Sequence, residues 1–152
     1  MKERRTWQWA RPSVELTLLI IIFLWVWQGI VVAQEDEIIA GGKSKYEKYC
    51  ANCHGRSAKG DGPFAAMLII KPADLTQLSK QNGGQFPFWR AYRMIDGREE
   101  VRGHGTRAMP MWGFIFQIEE GSSTGPYQED LVRGRVWQLV YFLESIQESG
   151  AP

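Results

Sequence analysis

The chain has 152 residues, 44% of them hydrophobic, and its 18 basic and 17 acidic side chains leave a formal net charge of +1. Lys2, Arg4, Arg5 and Arg11, with Glu3 and Glu15, all precede residue 34, so residues 34–152 hold 14 basic against 15 acidic side chains, close to −1. That balance argues against nucleic-acid binding, which depends on a basic face, and it gives little long-range steering toward a charged partner, a local patch aside.

From the amino terminus, a basic start leads into an apolar run from Leu18 to Trp27 that resumes over Gly29–Ala33. This pattern matches a secretory signal cleaved after Ala33. The same stretch, about 18 residues from Leu16, is also long enough to span a bilayer, with Trp25 and Trp27 as interfacial anchors. Residues 1–33 are therefore a signal peptide or an uncleaved anchor held through residues 14–33. In both cases positive charge keeps the amino terminus in the cytoplasm, and everything after Ala33 is exported. Residues 34–41, acidic at first, are expected to be a linker, and residues 42–150 are the right size for one domain. No internal repeat or low-complexity tract interrupts them.

A first helix is expected from about Lys43 to Cys53, with Gly42, Tyr46 and Cys50 four apart on one face. It carries Cys50-Ala51-Asn52-Cys53-His54, which holds the only two cysteines and one of the two histidines. Two thiols three positions apart can bond both vinyl groups of one haem, and the histidine that follows can ligate its iron. A zinc site needs four ligands and finds too few here. A thioredoxin-like pair belongs after a strand in an alternating βα pattern, which is missing. A disulfide this short would constrain little chain. Further along, Gln81–Gly84 reads as a turn. Pro87–Asp96 reads as a helix holding Phe88, Trp89, Tyr92 and Ile95, stopped by Gly97. Gly121–Pro126 is a loop. Val132, Val136, Leu139, Leu143 and Ile146 form one apolar stripe at helical spacing. No stretch alternates as a strand does, and the expected class is all-α.

In this order the residues resemble a single-haem class I c-type cytochrome over most of residues 42–150. Tyr46–Gly55 is similar to the family's attachment helix. Gly60-Asp61-Gly62-Pro63 and Lys71–Thr76 resemble the loop that follows it, and Asp96-Gly97-Arg98 with His104–Gly113 resembles the segment delivering the second ligand. Leu139–Leu143 resembles the closing helix. The resemblance implies a few helices wrapped around one covalent haem c. It pairs Gly42 and Tyr46 with Leu139 and Phe142 where the first and last helices cross. It also implies a bacterial periplasmic setting. The chain departs from the smallest members by the segment 111–134, which has no expected structure or role.

The resemblance makes His54 one iron ligand and Met109, just before Pro110, the other. Met111 is the alternative, and His104 would instead give a bis-histidine site. Pro72, or else Pro63, would offer the carbonyl that orients His54. Trp89, Tyr92, Arg107 and Trp112 could reach the ring or its propionates. The implied function is one-electron transfer between redox protein partners, not enzymatic catalysis. The alternatives are a dedicated cytochrome subunit of a membrane-associated dehydrogenase or oxidase and a haem enzyme with an open sixth position.

Overall fold

The computed structural model describes residues 14–98, 109–121 and 125–148, the side chains of residues 26–33 excepted. Among the described residues all regular structure is helical, the expected class. The elements are α1 (Val14–Tyr49), α2 (Ala51–His54), α3 (Leu78–Gln81), α4 (Phe88–Asp96), α5 (Trp112–Glu119) and α6 (Pro126–Ser145), with 3-10 turns at Ala65–Met67 and Leu75–Gln77. The chain divides into two compact units between Asp36 and Glu37.

In the first unit, Leu16 and the run from Leu18 to Trp25 are all exposed, covering every side of the helix. Residues 34–41, expected as a linker, are helical, because α1 continues without a break to Tyr49. The second unit begins inside that stretch, at Glu37.

The second unit is organised by α6, which packs on α4 and α5, while α4 also meets α5. Val132, Val136, Leu139 and Leu143 are buried along one face of α6, and Ile146 packs at its end, as their spacing requires. The helix itself extends backward to Pro126, which occupies the first helical turn, where its missing N–H costs nothing. At the other end of the core, Gly42 of α1 lies against α6. A β-carbon there would overlap the Gln138 carbonyl oxygen and sit 2.8 Å from Phe142 Cβ. Tyr46, one turn on, is 1% exposed, and its ring lies 5.2 Å from that of Phe142. The expected crossing of Gly42 and Tyr46 with Phe142 is thus present, beside a buried Leu139. Glycine within a helix costs about 1 kcal/mol relative to alanine, and here that cost allows two backbones to approach.

Helix α4 matches its expected span to within one residue. It ends on Gly97, whose left-handed backbone (φ 67°) accommodates the turn. The segment without an expected structure contains α5, eight residues long, whose Phe116 is fully buried. Gln128 of α6 is buried as well. Its amide donates to the Gln117 carbonyl at 3.0 Å and to that of Gly121, satisfying groups that the end of α5 leaves open.

Candidate functional site

The Cys50–His54 segment follows α1 almost without interruption. The Cys50 N–H donates to the Tyr46 carbonyl at 2.9 Å, and the His54 N–H to the Cys50 carbonyl at 2.9 Å. A short helix exposes its last carbonyls, and the following loop folds back to pair with them. Gly60 donates to His54 at 2.8 Å, Gly62 to Cys53 at 3.2 Å and Phe64 to Asn52 at 2.9 Å. Gly62 is buried so tightly that a β-carbon would stand 2.6 Å from the Cys53 carbonyl oxygen. The Gly60-Asp61-Gly62 sequence therefore acts as a backbone clamp on the segment bearing both thiols and the imidazole.

His54 is half-buried, and its Nδ1 lies 3.1 Å from the Ala73 carbonyl oxygen. With Nδ1–H donating there, Nε2 is left with its lone pair for a metal. Burial lowers the proton affinity of the ring, with the Ala73 carbonyl opposing it, so burial favours the neutral, ligating form. The oxygen expected from Pro72 or Pro63 is instead that of the residue after Pro72. The Pro72 carbonyl is turned against Gly60, where a β-carbon would overlap it, and Pro63 is exposed. A carbonyl one position along an extended segment points to the opposite side, which is why one residue changes the partner.

Cys50 and Cys53 are free thiols, not joined to each other. The Cys50 thiol is pushed up to about 12, chiefly by burial and then by Cys53 beside it. A thiol so strongly protonated is a poor redox nucleophile, which speaks against a thioredoxin-like pair. Among the described residues, no group of three or more histidine, cysteine or carboxylate side chains assembles as a metal site.

Met109 is half-buried and packs on the same core as Cys50, Tyr49 and Trp112. Met111, two residues on, is 40% exposed and leads into α5. Of the two thioethers, only Met109 faces inward. Trp112 joins the attachment segment through Tyr49, with ring centres 5.4 Å apart. Trp89 and Tyr92 lie in an array of rings with Phe88 and Trp137 between α4 and α6. His104 and Arg107 lie outside the described residues.

Two charged groups fasten the Met109 side: Arg135, which the sequence reading did not single out, and Arg98, which lies in the segment it did. Arg135 of α6 reaches Glu119 at 2.9 Å, Glu120 at 3.0 Å and the Tyr49 hydroxyl at 3.1 Å, while its guanidinium lies 4.5 Å from the centre of the Phe116 ring. Arg98 bridges Asp96 and Glu129. For Arg135, a basic residue three or four positions from members of the apolar stripe was the available signal, and it does not distinguish such a clasp from a solvated side chain.

The donor set fits a covalently held haem: two unpaired thiols one helical turn apart, an imidazole with one nitrogen satisfied and the other free, and an inward thioether. No protein-family model, curated protein or solved structure matches the chain.

Proposed function

We propose that this chain is an exported electron carrier that holds one haem c through Cys50 and Cys53, with His54 and Met109 as the iron ligands. The observation that carries the reading is the His54 ring, set by the Ala73 carbonyl with its second nitrogen unspent, in the same short segment as two unpaired thiols. When bound, the group supplies a one-electron ferric–ferrous couple.

The chain's own residues do the rest. The Ala73 carbonyl fixes the tautomer and orientation of His54. The loop amides of Gly60 and Gly62 hold the motif's carbonyls and limit its movement. Met109 brings a soft sulfur, which raises a reduction potential relative to a second histidine. The haem-bearing domain would meet its redox partners transiently, over a small interface.

The exposed apolar residues from Leu16 to Trp25 favour a second reading of the same carrier: a tethered subunit of a membrane-associated dehydrogenase or oxidase complex facing the bacterial periplasm. A helix apolar on every side calls for a nonaqueous surround. Among the described residues no helix is long and apolar enough to cross a membrane, and the side chains of residues 26–33 lie outside that statement.

The deciding experiment is expression with export in a host that attaches c-type haem, followed by intact mass and acid–acetone extraction. The expected product keeps its pigment through extraction, and its mass shows one haem and whether the chain starts at Gln34. Met109→Leu should keep the pigment and lose the far-red charge-transfer band of ferric histidine–methionine haem. An extractable pigment or a colourless product overturns the reading. Loss of the band in Met111→Leu rather than Met109→Leu transfers the ligand to Met111. Rapid carbon monoxide binding by the unaltered ferrous protein would indicate an open-site enzyme.

A further inference from the structure

We infer that Arg98 is a positioning residue for Met109, and that its two-armed bridge to Asp96 and Glu129 sets how firmly that thioether is presented to the iron. The inference rests on the proposed haem ligation and goes beyond it.

Gly97 turns the chain at the end of α4, so Arg98 folds back on Asp96. Its Nε lies 2.9 Å from Asp96 Oδ1. Its two terminal nitrogens meet both oxygens of Glu129 on α6, at 2.7 and 3.0 Å, in the fork geometry that only a guanidinium provides. Asp96 is 6% exposed, and a buried carboxylate is costly without its cation. The pair lies directly against the first turn of α5. A β-carbon on Gly113 would overlap Asp96 Oδ1 and stand 2.8 Å from Arg98 Nε. On the other side of the same junction, a β-carbon on Gly97 would stand 3.0 Å from the Met111 Cα. The ends of α4 and the start of α5 are thus closed against each other with Arg98 between them and α6, and Met109 leaves that junction two residues before Met111. Glu129 is held below the usual carboxylate range, first by its bond to Arg98, in keeping with a tight bridge.

A ligand tethered at a fixed junction competes through its effective concentration at the metal. Loosening the tether lowers that concentration without altering the ligand itself. In the haem-loaded protein an added imidazole would displace the Met109 sulfur as a ligand, with no change in oxidation state.

The test is imidazole titration of the ferric, haem-loaded protein, followed through the far-red band. Glu129→Gln keeps the shape and removes the charge that the fork grips. Its imidazole affinity should rise about tenfold, equivalent to loosening the tether by about 1.4 kcal/mol. Arg98→Gln should raise it further. Arg133→Ala removes the other partner of Glu129, at 2.9 Å, and leaves the fork, so it should change affinity by less than about twofold. If Arg98→Gln does not fold, Glu129→Gln decides alone. A lower melting temperature with unchanged imidazole affinity in Glu129→Gln overturns the inference and leaves the haem reading standing. An unaltered protein without covalent haem or the far-red band overturns both.

Discussion

The His54 side and the Met109 side of the second unit are held by different kinds of force. Around His54 the contacts fall mainly on backbone groups: amides of Gly60, Gly62 and Phe64 on carbonyls of residues 52–54, Leu75 on Ala58, and the imidazole on the Ala73 carbonyl. Around Met109 they are made by side chains, most of them charged: Arg98 to Glu129, Arg135 to Glu119 and Glu120, and the Gln128 amide to the end of α5. Backbone clamps respond weakly to acid or salt, whereas ion pairs respond to both. If the proposed haem is bound, its two protein ligands should therefore be held with unequal firmness, His54 permanently and Met109 exchangeably.

The largest perturbation is one that both sides share. Gly42→Ala places a methyl group on the Gln138 carbonyl and against Phe142, with backbone that cannot swing aside. Overpacking of this kind costs on the order of 3 kcal/mol. For a domain of this size that lowers the melting temperature by roughly 10–20 °C. Thermal unfolding followed separately at the haem band and by far-ultraviolet circular dichroism should show both falling together. A variant that melts within a few degrees of the parent would mean that the helix crossing does not bear on both regions.

The two faces that cross there were legible in the sequence because each depends on local periodicity. Gly42 and Tyr46 lie one turn apart and Leu139 and Phe142 share a face, whereas the pairing of the two faces came from the family resemblance alone. The closing stripe from Val132 to Ile146, the stop at Gly97 and the Cys50–His54 segment were legible for the same reason. Helix α5 was not. Its eight residues from Trp112 to Glu119 are apolar almost throughout and have no polar cap residue, so it depends on Arg135, Gln128 and the Phe116 cavity, all of which become visible only once α6 is placed. The partner of His54 was missed by one residue, because the choice between the carbonyls of Pro72 and Ala73 depends on which one Gly60 occupies. The ring array that Trp89 and Tyr92 form with Trp137 was not legible, because their spacing on α4 places them on a face without saying which residues of α6 that face meets.

A smaller change should separate the two sides. Arg135→Lys retains a positive charge and loses both the fork to Glu119 and Glu120 and the stacking on Phe116, at a cost of about 1–2 kcal/mol. Because these contacts chiefly hold α5, with the Tyr49 hydroxyl the one tie to the attachment side, hydrogen exchange should speed up most at the amides of Trp112–Glu119 and much less at Tyr46 and Cys50. Equal acceleration at both would erase the distinction.

The weakest expected effect is in the response to acid. The Glu119 carboxyl is held below its usual value first by the Tyr49 hydroxyl, 2.8 Å away, and then by Arg135; that of Glu129 is held down by Arg98 and then Arg133. A carboxyl depressed on folding adds stability that is complete above its unfolded value, near 4.5, and is lost as pH falls through the lower folded value. Glu148 is depressed in the same way by Lys59 beyond the His54 side, but that pair is fully at the surface, where solvent screens it. Between pH 6 and pH 3 the Met109 side should therefore loosen first, and urea midpoints should fall less steeply in Glu119→Gln than in the parent, because the variant has already lost that proton-linked contribution. Identical slopes would assign the acid response to other carboxyls and remove charge as the reason for the unequal grip on the two ligands.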